Sequence, residues 1–159
     1  MGIKNSDLVA NFEATPQVHN NSALLHGSMR VAQGTIVVAA GDSDDDDIVM
    51  FAPIPSNAVV PQIFVGSDTL GGSCTFNVGI FNTDGTVVDE DYFASAVADA
   101  AAMADVRFEA ADINTAGKAM WEMAGASADP GGYYYIGARM AAAGGTEGDM
   151  SFNIHYVVN

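Results

Sequence analysis

Five aspartates occupy six successive positions, Asp42 and Asp44 to Asp47, between the apolar runs 35–40 and 48–54. Carboxylates at alternate positions are the chemistry of calcium loops. Asp42, Asp44 and Asp46 match the 1, 3, 5 spacing of an EF-hand. Such a loop needs glycine at its sixth position and glutamate at its twelfth, where this chain has Asp47 and Pro53, so an EF-hand is excluded. Unpaired carboxylates are too costly to desolvate for the run to enter a core. It is expected as a charged hairpin tip that fixes the register of the strands on either side, with weak divalent-cation binding as the competing reading.

The other reactive groups are scattered. Asp89, Glu90 and Asp91 supply neighbouring carboxylates, but a glycosidase needs two at a set separation across a cleft, and three consecutive acids read as a solvated loop. Gly125-Ala126-Ser127-Ala128-Asp129 lacks the second glycine of a nucleophile elbow. His19, His26 and His155 stand in no metal-binding spacing. The stretch Gly144–Gly148 has no following Lys-Ser/Thr, so it is not a phosphate loop. Trp121 and Tyr133, Tyr134 and Tyr135 offer aromatic faces for a sugar, although strand aromatics more often serve a core or subunit interface. Catalytic, cofactor-binding and metal residues are all expected to be none, and the chain is not expected to be an enzyme.

The elements that position these groups show a period of two. Cys74, Phe76, Val78 and Ile80 alternate with Thr75, Asn77 and Gly79; Val106-Arg107-Phe108-Glu109-Ala110 alternates likewise. At the C-terminus Met150, Phe152, Ile154, Tyr156 and Val158 alternate with Ser151, Asn153, His155 and Asn159. This pattern marks half-buried antiparallel strands. Further strands are expected at 35–40, 48–54, 59–65, 118–124 and 133–141. Turn signals separate them, Asp84-Gly85 suiting a tight hairpin. The result is an all-β class: a β-sandwich, jelly-roll or Greek-key with about eight or more antiparallel strands. The alanine-rich segment opening at Asp91 predicts one short helix near 91–104.

Residues 1–28 carry four asparagines and isolated apolar side chains without a period. They read as an extended N-terminal arm ahead of a β-sandwich domain at 29–159; an edge strand plus loop of one domain is the alternative. Ser6 or Asp7 is placed to cap a helical turn running to Phe12.

Bulk properties narrow the partners. The chain has 159 residues, 20 acidic against five cationic side chains, and a net charge of −15. That balance disfavours nucleic acid, which is held by lysine and arginine on phosphates, and anionic membranes, and it favours a basic or neutral partner. No stretch approaches the roughly 20 apolar residues of a membrane helix, and the first residues lack the apolar segment of a signal peptide. Cys74 is the single cysteine, so no internal disulfide forms and a core role is expected.

The segment Gly41 through Val60, with Phe76-Asn77-Val78-Gly79-Ile80-Phe81, Asp84-Gly85-Thr86-Val87-Val88-Asp89 and Asp91-Tyr92-Phe93-Ala94-Ser95, resembles small virion structural proteins of tailed bacteriophages, particularly those of marine and cyanobacterial hosts. The resemblance spans roughly 29–159. It implies a capsid decoration (cement) protein that binds the major capsid protein on the outer surface of the virion as a homo-oligomer, trimer favoured and dimer the alternative. The rival function is a β-sandwich adhesin or carbohydrate-binding module of a virion fibre.

Overall fold

The computed structural model describes residues 5–158. Eight strands form two four-stranded antiparallel sheets. One sheet has the order β1 (Met29–Val38), β8 (Gly148–Val158), β3 (Ala58–Ser67), β6 (Ala104–Asp105). The other has β2 (Ile48–Pro55), β7 (Tyr133–Ala142), β4 (Thr75–Phe81), β5 (Val87–Ala98). Strands pair in nested fashion: β1 with β8, β2 with β7, β3 with β6, β4 with β5. This is the pairing of one long antiparallel hairpin rolled up so that β8 also meets β3 and β7 also meets β4.

The two inner faces close on an apolar core that includes Ile54, Ile63, Phe76, Val78, Ile80, Ile136, Met140, Met150 and Ile154, all essentially inaccessible to water. Phe51 of β2 stacks on Phe152 of β8 with ring centroids 5.1 Å apart. Cys74 is buried in the same core. At roughly 1.5–3 kcal/mol per large aliphatic or aromatic side chain, this layer is the main stabilising term.

Five expectations are corrected. The alanine-rich segment is not a helix: 91–98 continues β5. Helix propensity loses here to tertiary pairing, because Phe93 and Ala94 are buried, Asn77 Oδ1 accepts from Ala96 N (2.8 Å) and Glu109 Oε2 accepts from Ser95 N (2.8 Å). Ala96, with φ of 53°, takes the bulged geometry a helix forbids. The segment 118–124 is not a strand but a one-turn helix, α2 (Met120–Met123); Met120 and Met123 share its buried side, and Glu122 reaches back to accept from Ala119 N (2.8 Å). The stretch 106–110 is not a strand: β6 ends at Asp105, and Arg107 is buried next to buried Val106, which breaks the alternation.

The aspartate run is not a hairpin tip. The strands flanking it, β1 and β2, lie in different sheets, so the run is the corner where the chain crosses between them. Nor are Asp89, Glu90 and Asp91 a solvated loop, for they lie on β5 with Asp89 and Glu90 half-buried.

Residues 5–28 open with helix α1 (Asp7–Glu13), with Ser6 at the N-cap position. Asparagines turn the chain back: Asn11 Nδ2 donates to Asn20 Oδ1 (2.9 Å) and Asn20 Nδ2 to Leu8 O (2.9 Å). The end of the segment reaches the outer face of the first sheet, where Leu24 and Gly27 meet Gly117 and Val157.

Gly79 shows how tightly β5 folds across β4. A Cβ there would lie 2.1 Å from Asp89 O and 2.4 Å from the Glu90 carbonyl carbon. Gly79→Ala is expected to cost about 2 kcal/mol or more in urea unfolding. Gly85→Ala, in the open β4–β5 turn at φ of 88°, is expected to cost about 1 kcal/mol.

Candidate functional site

At the aspartate corner, Ser43 is the anchor. It is fully buried, its Oγ accepts from Gly145 N (3.0 Å) and its carbonyl from Gly144 N (2.8 Å). The carboxylates point outward around it. Asp47 Oδ2 accepts from Asp44 N (2.9 Å), and Asp46 pairs with Arg139 (2.7 Å). Arg139 also pairs with Glu90 of β5, so one guanidinium joins the corner to the far edge of the second sheet. Among the described residues no group of three or more His, Cys, Asp or Glu is arranged to hold a metal.

The carboxyl groups of Asp89 and Asp91, two apart on β5, interact with each other. Burial, then that contact and the charge of Asp91, hold the Asp89 carboxyl above its usual range. Ser127 sits exposed in the 125–129 bend. His19 and His26 are exposed, and His155 Nδ1 is held by Gln62 Oε1 (2.8 Å) with its ring tilted on Phe64.

Trp121 lines a hollow of about 320 Å³ with Asn21, Asn57, Glu122 and Asp129. Its carboxylates already serve the backbone: Glu122 caps α2, and Asp129 Oδ1 accepts from Ser56 Oγ (2.6 Å) and Gly131 N (2.9 Å). Those two bonds hold Asp129 below the usual carboxylate range. Tyr133 is exposed on β7, while Tyr134 packs on the core.

The most built polar group is Arg107, which the alternating pattern would place on an outward face. It is buried to 1% exposure. Its Nε donates to Val60 O (2.8 Å), one terminal nitrogen donates to Thr115 O (3.3 Å), and the guanidinium lies 5.0 Å and 4.3 Å from the ring centres of Phe93 and Phe108. Burial pushes its pKa down, against the opposing influence of Tyr92 and Asp105. Asp105 Oδ1 receives both Ile63 N (3.2 Å) and Arg107 N (3.0 Å), which turns the chain inward at this point. The local sequence carried one signal, a cation beside Phe108 in a chain with five cations. The partner Phe93 is remote in sequence. Arg107 binds loop 99–119 to the sheets; it faces no open cleft.

No family model matches this chain, and no curated protein matches it. Its fold is similar to a phage capsid structure. A chain of the cyanophage Pam1 capsid asymmetric unit superposes with a TM-score of 0.55 at 14% identity, covering 100% of this chain and 100% of that one. A chain of the capsid of Ralstonia phage GP4 gives 0.49 at 19% identity over 84% and 86%. One from the acidic stable capsid of Helicobacter pylori bacteriophage KHP30 gives 0.42 at 14% over 83% and 90%. The likeness in fold to the first of these runs the full length of both chains.

Two outcomes test the site chemistry. Arg107→Ala is expected to cost about 3 kcal/mol or more in urea unfolding, by leaving a void between two rings and an unmet Val60 carbonyl; Arg107→Met, which refills the void, is expected to cost distinctly less. For Asp89, a raised folded pKa means that the proton is held more tightly in the folded chain. The stabilisation is full below the ordinary carboxylate range and is lost as pH rises through the folded pKa. Asp89→Asn is therefore expected to melt above the wild type near pH 7, with the gain closing as pH falls towards about 4.

Proposed function

We propose that this protein is a structural component of a phage virion that decorates the capsid and stabilises it by binding the major capsid protein. The end-to-end match in fold with a chain of the Pam1 capsid structure is the observation that carries the reading. The strand path, which we read as a jelly roll, makes a rigid body. The clustered carboxylates are used to fix turns, and the exposed apolar side chains Val9 and Phe12 of α1 and Val18 beyond it supply a contact element. On this reading residues 1–28 are the arm that engages the shell and 29–159 the body. The body faces outward as a homo-oligomer, trimer before dimer, and the charge of −15 keeps particles apart.

Glycan binding, the rival reading, has the Trp121 hollow in its favour. That hollow's carboxylates are already occupied with backbone and hydroxyl donors, which leaves the aromatic face with fewer groups to orient a sugar.

Particles assembled without the protein are expected to lose their genome at lower temperature than complete ones, and adding it back is expected to restore resistance. Equal heat resistance with and without the protein would overturn the proposal.

A further inference from the structure

The two sheets have four edges, and three of them are blunted against further pairing. The β2 edge contains Pro53 and Pro55 and a register shift between Met50 and Ala52. The β5 edge carries Asp89, Glu90 and Asp91, and its pairing with β4 shifts repeatedly. The β6 edge is two residues long. These are the devices by which proteins prevent edge-to-edge association.

The fourth edge, β1, has none of them. It runs ten residues with unbroken register against β8, contains no proline, lysine or carboxylate, and has Arg30 as its single charge. Its outward side chains Met29, Val31 and Val37 are 56%, 50% and 64% exposed.

The sheet face beside this edge is equally unusual. Cross-strand rows run Val31–His155–Gln62, Gln33–Asn153–Phe64 and Thr35–Ser151–Gly66. Thr35 and Ser151 hydroxyls share a hydrogen bond (2.8 Å), as do His155 and Gln62 (2.8 Å), so these rows lie on one face. Strands β1 and β3 hold no carboxylate and β8 holds one, Asp149 near its start. On a chain of charge −15, an exposed strand edge without acids, beside a face of β1, β8 and β3 whose one carboxylate is Asp149 opposite Val37 at its end, is where a like copy approaches at least electrostatic cost.

We propose that the β1 edge and the adjoining outer face of β1, β8 and β3 form the surface through which this chain associates with a second copy of itself. The inference rests on reading the protein as a homo-oligomer and names the surface used. Salt screens the carboxylates elsewhere and leaves this contact intact, so association is expected to strengthen, or hold, as ionic strength rises.

The test is light scattering coupled to gel filtration on the full chain, with Val31→Glu, Gln33→Glu and the control Thr83→Glu in the β4–β5 turn. All three positions are exposed in the single chain, so circular dichroism is expected to show unchanged folds. Wild type and Thr83→Glu are expected to be oligomeric, and the two β1 variants to associate about tenfold or more weakly. Oligomers that survive both β1 substitutions would overturn the surface. A wild type that stays monomeric at every concentration would also overturn it, and would assign the edge to a strand of another protein. Co-sedimentation of the same variants with particles lacking the protein separates the two readings. A β1 variant that still binds as a monomer leaves the virion role standing, whereas a wild-type oligomer that fails to bind contradicts the virion role alone.

Discussion

The dry layer between the two sheets is the constraint from which the rest follows. Its aliphatic and aromatic side chains exclude every unpaired polar group, so whatever carries charge must sit at the ends or on the outside. The chain changes sheet at most of its connections, and each crossing must therefore be made in solvent. Carboxylates collect at several of these crossings and turns and are put to use there. The aspartate corner carries β1 to β2 around buried Ser43; Asp99 accepts from Leu70 N beside the β3–β4 link; Asp129 holds the turn before β7. The acidity that suggests a metal site is largely the polar half of the fold's own connections.

Arg107 is the exception that the layer tolerates. It enters the interior without a carboxylate partner, held by two carbonyls and two rings. A guanidinium suits this role because it is planar and stacks while donating in its own plane. Its cost is visible in the one terminal nitrogen that finds no acceptor. What it secures is the long loop between β5 and α2, which would otherwise cover the sandwich with little regular structure.

How much of this could be read beforehand depended on range. Period-two segments gave β4, β7 and β8 almost to the residue, because alternation reports burial on one face of a strand directly. The Asp84-Gly85 turn was legible because its geometry depends on adjacent residues. Most of the errors involve partners far apart in sequence. Whether 91–98 is helix or strand depends on Asn77 and Glu109, and whether Arg107 points in or out depends on Val60, Phe93 and Thr115. Residues 48–54 were legible as a strand and 35–40 only as the end of one, since β1 runs from Met29 to Val38; their assignment to different sheets was not legible, since nothing local distinguishes a corner from a hairpin. The reactive groups scattered in sequence largely stay apart in space, and so the functional argument rests on the fold as a whole.

The central claim is that the chain is a building block of a virus particle. Its most direct test is quantitative mass spectrometry of density-purified virus particles from lysates in which this chain is made. The account predicts this protein at a copy number comparable to that of the shell protein, and retained through high-salt washing. Its absence from such particles, with the chain found free in the lysate, would contradict the account.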